Sequence, residues 1–148
     1  MKEYKVKVYD DGSKFWFQNG QYHREDGPAL EWASGSKDWY LNGKLHREDG
    51  PAQERSGVKA WFQNGQYHRE DGPALEWASG TKEWYLNGKL HREDGPAIER
   101  PNGYKWWYLN GQALSEEGFK QKTQTTEVTL DEIANKFGVD VSQLKIKK

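Results

Sequence analysis

The chain has 148 residues, 22 basic and 23 acidic side chains, a formal net charge of -1 and no cysteine. That length holds one domain of ordinary size, or a short repeat array with an appendage, and excludes two large domains. The near-zero charge gives no long-range field for nucleic acid or anionic lipid, and the absent thiols exclude disulfides, a thiolate nucleophile and a cysteine metal site.

Aliphatic content is low, with a mean hydropathy of -1.16, but 8 Trp, 8 Tyr and 5 Phe are present. The core is therefore expected to be aromatic, since these side chains bury the most area per residue. The opening MKEYKVKVYDDG lacks the apolar run of a signal peptide, and no stretch approaches the roughly 20 apolar residues of a membrane span. A soluble protein of the cytoplasm is the expectation.

In chain order, Tyr4 to Ser13 reads as a half-unit that opens the first hairpin, with Gly12 standing 23 residues before Gly35. Repetition then dominates. Trp16-Phe17-Gln18-Asn19-Gly20 returns at Trp39, Trp61, Trp84 and Trp107, with spacings of 23, 22, 23 and 23 residues. Residues 16–37 and 61–82 differ only at Ser36 versus Thr81. Between the two kinds of unit, Phe17 becomes Tyr40 and Leu30-Glu31-Trp32 becomes Gln53-Glu54-Arg55, while Trp, Asn-Gly and HREDGPA persist. Such invariance within one chain reports what each unit requires, for folding or for a repeated contact.

Each unit reads as two short strands: residues 28–32, the turn 33–36, and residues 37–41. Asn42-Gly43 and Asp49-Gly50 punctuate the return to the next hairpin. Alternation puts Leu30 with Trp32 on one face, and turns Tyr40 away from Trp39 and Leu41. With two strands about 4.8 Å apart per unit, the array advances roughly 9.5 Å per repeat and spans about 45 Å. Core packing is the expected role of Trp16, Trp39, Trp61, Trp84 and Trp107.

The pattern in KDWYLNGKLHREDG resembles a variant MORN repeat, although HREDGPA replaces the family's shorter glycine-rich stretch. The resemblance covers about residues 5–118 and implies a mostly β fold: tandem hairpins in an elongated, twisted antiparallel sheet. Arrays of this kind with a short helical tail resemble small proteins of tailed bacteriophages. The resemblance implies a scaffold or interaction surface, with a host bacterial protein as partner and the host cytoplasm as location. WYLNG hairpins also resemble the Trp/Tyr repeats of cell-wall and glucan-binding modules.

The array spans residues 1–118 in this reading; its last unit has Leu114-Ser115-Glu116-Glu117-Gly118-Phe119 where the motif is expected, and polar residues 119–128 read as a linker. Residues 129–148 form a helical tail: Thr129 and Glu132 make a capping box, Leu130, Ile133, Ala134 and Phe137 share a face, and Gly138 stops the helix. A second short helix is placed near Ser142 to Leu144, and the tail resembles the two-helix part of a LysM or helix-turn-helix unit. Docking on the last repeat is its expected position.

His23, His46, His68 and His91 each precede Arg-Glu-Asp, an arrangement that invites acid-base chemistry. An active site gathers different residues at one point, whereas this tetrapeptide recurs along a ribbon, so no enzyme, metal site or cofactor is expected. Neighbouring histidines about 9.5 Å apart cannot share an ion whose ligands sit about 2.0 Å away. Asp49 is expected to bond backbone N–H groups at Gly50-Pro51, and Arg47 to pair with a carboxylate. Arg24, Arg47, Arg69 and Arg92 interleave with aromatics but adjoin Glu-Asp, which argues against nucleic acid. Trp32 and Trp77 have charged counterparts, Arg55 and Arg100, so these four positions are expected at the surface. With the HRED side chains they are the candidate contacts for a protein, or for a glycan or nucleotide held between units.

Overall fold

The computed structural model describes residues 3–124 and 129–143. The first unit comprises β1 (Lys5–Val8), β2 (Lys14–Gln18) and β3 (Gln21–Tyr22). The second contains β4 (Leu30–Glu31), β5 (Lys37–Asp38), β6 (Tyr40–Leu41) and β7 (Lys44–Leu45). The third repeats this as β8 (Gln53–Arg55), β9 (Val58–Ala60), β10 (Phe62–Gln63) and β11 (Gln66–Tyr67). The fourth does so as β12 (Leu75–Glu76), β13 (Lys82–Glu83), β14 (Tyr85–Leu86) and β15 (Lys89–Leu90). β16 (Ile98–Glu99), β17 (Lys105–Leu109) and β18 (Gln112–Leu114) close the array, followed by helices α1 (Glu116–Thr123) and α2 (Leu130–Phe137).

The fold is mostly β. One antiparallel sheet runs in the order β1-β2-β4-β5-β8-β9-β12-β13-β16-β17-β18, with β3 also paired to β2. Each unit proves to hold two hairpins where the sequence suggested one. The Asn-Gly pairs do more than punctuate: Asn42 and Gly43 both have positive φ, 50° and 74°, as the tight turn joining β6 to β7 requires. Asn64-Gly65 and Asn87-Gly88 do the same in the next two units.

These side hairpins are stitched to one another. Arg47 N–H donates to the Phe62 carbonyl and Gly65 N–H to that of Leu45, and equivalent pairs recur between units along the chain. The tryptophan backbone couples each side hairpin to the main sheet: Trp39 N–H donates to Ala52 of the next unit, and the Trp39 carbonyl accepts from His46 N–H.

Register sorts the main-sheet side chains into rows. Phe15, Leu30, Asp38, Gln53, Ala60, Leu75, Glu83, Ile98 and Trp106 stand opposite one another from strand to strand. The adjacent row, on the other face, reads Lys14, Glu31, Lys37, Glu54, Lys59, Glu76, Lys82, Glu99 and Lys105 through the same pairings. Charge alternates at every strand, so each carboxylate has an ammonium-bearing side chain opposite it on either side, an arrangement that stabilises a cross-strand pair.

The buried apolar residues are small or few per unit. Phe15, Ala29 and Leu30 form one cluster with Phe17, Tyr22 and Tyr40 against it; Ala52, Ala60, Phe62 and Leu75 form another with Trp39, Leu45, Val58 and Tyr67. The repeated tryptophans are half-buried and not the centre of the core. The alanines that end each HREDGPA motif, Ala29, Ala52, Ala74 and Ala97, each have 0% exposure.

The C-terminal boundary differs from the linker reading. Residues 116–123 form α1, capped by Ser115, whose side chain accepts from Gly118 N–H. Glu116 and Glu117 lie in its first turn and Lys120 and Lys122 in its last, charges placed to suit the helix dipole. Phe119 is buried, and α1 packs on β17 and β18, so this helix covers the end of the sheet. α2 has the expected capping box and a Gly138 stop at φ 63°, and it packs with a 3-10 turn at Val141–Gln143. Of the short helix placed near Ser142 to Leu144, Leu144 lies outside the described residues.

Reversing one charge in the Lys/Glu row tests its contribution. Lys82→Glu sets three carboxylates in line with Glu76 and Glu99, and thermal unfolding should show a loss of about 1 kcal/mol that shrinks at high salt.

Candidate functional site

The HREDGPA loop is built around its arginine. The Arg47 guanidinium lies over the Trp39 ring, 4.0 Å from the centroid. Its Nε donates to Asp49 at 2.8 Å, and its Nη1 donates to the Pro51 carbonyl at 3.2 Å and to Glu54 at 3.3 Å. Arg24 over Trp16, Arg69 over Trp61 and Arg92 over Trp84 repeat this set. The arginine beside each aspartate holds Asp26, Asp49, Asp71 and Asp94 below the ordinary carboxylate value, mainly through its hydrogen bond. Asp49 thus binds Arg47, where the sequence suggested turn amides. Gly50 leaves room for this arrangement: a Cβ there would stand 2.9 Å from the Arg47 Cζ and push the guanidinium from its place.

Each histidine joins two units. Nδ1 of His46 accepts the backbone N–H of Asn64 at 3.1 Å, and His23, His68 and His91 accept those of Asn42, Asn87 and Asn110. At His23, Nδ1 also lies 2.9 Å from Asn42 Oδ1; at His46, His68 and His91 the acceptor role leaves the ring proton on Nε2. That nitrogen faces Glu48 at 3.8 Å, and in the other copies Glu25, Glu70 and Glu93 at 3.5 to 3.7 Å. The four histidines therefore occupy equivalent places at successive unit junctions. Among the described residues no group of three or more His, Asp and Glu side chains is placed to hold a metal ion.

Three grooves lie between consecutive loops, with volumes of about 760, 640 and 770 Å³. Their floors are Trp39 with Leu41, Trp61 with Gln63, and Trp84 with Leu86. Their walls are the Arg, Glu and Asp side chains of two successive loops. Glu48, Glu70 and Glu93 are 85%, 85% and 81% exposed, and the aspartates that follow them, Asp49, Asp71 and Asp94, are 85%, 84% and 83% exposed.

Trp32, Arg55, Trp77 and Arg100 come together as a second row, each just before the turn of its main-sheet hairpin. Trp32 and Trp77 are 36% and 44% exposed. Their partners differ. Asp38, with 0% exposure, accepts from Trp32 Nε1 at 2.9 Å and is clasped by Nε and Nη2 of Arg55. In the later copy Glu83 accepts from Trp77 Nε1 and from the Tyr85 hydroxyl, both at 2.9 Å. Arg100 stacks over Trp106 at 4.7 Å. Arg55 is consequently tied to a buried carboxylate, whereas Arg100 has no carboxylate partner among the described residues. The sequence could not separate the two arginines, because the distinction lies in Asp38 versus Glu83 and in strand register.

Aromatic contacts run between units through Tyr22 with Tyr40 and Tyr67 with Tyr85, at 5.4 and 5.0 Å between centroids. Burial raises Tyr40, Tyr67 and Tyr85 above the ordinary tyrosine value, and the nearby Glu83 adds to the effect at Tyr85. No protein-family model matches the chain, and no curated protein is significantly similar to it.

Two outcomes follow from these environments. Arg55→Ala leaves the Asp38 carboxylate buried beside Trp32 alone and should cost about 3 kcal/mol in chemical denaturation. Adding Asp38→Ala, the residue type at Ala60 in the same row, should recover most of that loss. A tyrosine whose folded value is raised contributes stability fully below its unfolded value of 10.0 and loses it as pH rises through the folded value. Absorbance titration above pH 10 should therefore show Tyr40, Tyr67 and Tyr85 ionising together with unfolding.

Proposed function

We propose that the chain is a non-enzymatic repeat scaffold that binds another protein along the face carrying Trp77 and Arg100. The observation that carries the reading is the placement of chemically capable residues in rows at successive units, with each histidine and each loop arginine already engaged in holding the unit. Exposed Trp and Arg are the side chains that most often anchor protein interfaces, and here they alternate along one row. A phage-borne inhibitor of a host or defence protein is the finer form of this reading, and it rests on the resemblance to variant MORN arrays.

A second reading has its own support. The three equivalent grooves, floored by tryptophan and walled by arginine and carboxylates, suit a glycan or a nucleotide held between loops. Parallel capture separates the two. Immobilised chain and its Trp77→Ala/Arg100→Ala variant are exposed to bacterial lysate, with peptidoglycan, glucan and nucleotide retention measured alongside. Stoichiometric recovery of one protein by the parent and its loss by the variant supports the first reading. Retention of a glycan or nucleotide by both, with no protein enriched, replaces it with the second.

A further inference from the structure

The two ends of the main sheet are unequal. The last strand, β18, has α1 packed against it, whereas β1 pairs only with β2 and has no strand on its outer side among the described residues. The backbone of β1 is oriented to receive one. Trp16 donates to Ala29 and accepts from His23, so its peptide groups turn away from β1. Its register partner Val6 is therefore in a non-hydrogen-bonded pair, and the N–H and C=O of such a residue project to the open side, as do those of Val8. Both valines are exposed, at 44% and 66%.

Side-chain chemistry then selects what can pair there. Lys5 and Lys7 share a face with their partners Phe17 and Phe15, and Val6 and Val8 share the other. A groove of about 570 Å³ lies over the face that β1 shares with β2, lined by Glu3, Lys5, Lys7, Phe17, Asn19 and Gly20 among others. A second copy of the chain is disfavoured. Two-fold antiparallel pairing of β1 with itself over three residues opposes Lys5 to Lys7 or Lys7 to Lys7, and like charges directly opposite destabilise a ladder. The sheet itself obeys that rule in the row from Lys14 to Lys105, where every lysine faces glutamate across the strand pair.

We infer that the outer edge of β1 accepts an extended segment of a partner protein as an added strand, with acidic residues at alternate positions facing Lys5 and Lys7 and apolar residues beside Val6 and Val8. Main-chain hydrogen bonds supply affinity and the alternating side chains supply selectivity, as in other strand additions. This edge is separate from the Trp77–Arg100 row, and its occupation does not depend on that surface. Lysines on an open edge also blunt unwanted pairing, so the test must distinguish a selective edge from a merely guarded one.

The full chain, labelled with ¹⁵N, is titrated with two capped eight-residue peptides, one alternating Val with Glu and one alternating Val with Lys. The Glu peptide should bind saturably and slow hydrogen exchange at the Val6 and Val8 amides. Lys5→Glu/Lys7→Glu should weaken it at least ~10-fold and favour the Lys peptide; Lys5→Gln/Lys7→Gln carries the same comparison should reversal unfold the strand. Val6→Pro removes an outward N–H, a substitution tolerated on an edge, and should abolish binding while the β1–β2 amides stay protected. No binding, or equal binding of the two peptides, overturns the inference and leaves the lysines as a guard. Sedimentation showing a dimer that Val6→Pro dissolves assigns the edge to a second copy and overturns it as well.

Discussion

The stacking of each loop arginine on the tryptophan eight residues before it is the contact on which the array depends. A guanidinium over an indole face is worth about 0.5–1 kcal/mol in the open and ~2 when desolvated, and here its remaining donors close the loop onto aspartate, a proline carbonyl and a strand glutamate. That closure explains why the motif is invariant among copies. The glycine leaves space for the guanidinium, the proline offers its carbonyl, and the alanine is left fully buried beneath the loop. Trp16, Trp39, Trp61 and Trp84 are half-buried for the same reason: one face of the ring is covered by a cation and not by apolar core.

Coupling between units comes from a different set of groups. Strand pairing in the main sheet, paired backbone bonds between side hairpins, and the histidine acceptor for the next unit's Asn amide all join nearest neighbours. An array held this way has stability that accumulates unit by unit, and its ends need separate treatment. The C-terminal end is covered by α1. The N-terminal end carries alternating lysine and valine on an open strand.

Where a unit does not dictate the residue, the copies diverge, and those positions give the surface its character. The row position occupied by Asp38, Ala60, Glu83 and Trp106 changes from unit to unit, and with it the partner of the neighbouring arginine or tryptophan. Asp38 draws Arg55 down onto a buried carboxylate, while Arg100 lies over Trp106. Two residues that align in sequence thus present different chemistry, which is why the proposed contact surface is weighted toward the Trp77–Arg100 half of the row.

Much of the architecture could be read from the chain itself. The 22- to 23-residue period, the turn-forming Asn-Gly pairs and the alternation within residues 28–41 specify hairpins in series, because positive φ at two consecutive residues and period-two patterning are local properties. The capping box at Thr129 and Glu132 is local in the same sense. The second hairpin in each unit and the α1 helix were less visible, although Asn-Gly flanked by two-residue strands and Ser115 with its charged turns were the available signals. The partners of His46, Arg47 and Arg55 were decided only by tertiary structure: a histidine meets an amide 18 residues on, and an arginine meets a buried carboxylate 17 residues back. Those meetings depend on strand register and on the close approach of neighbouring units, which no local pattern encodes.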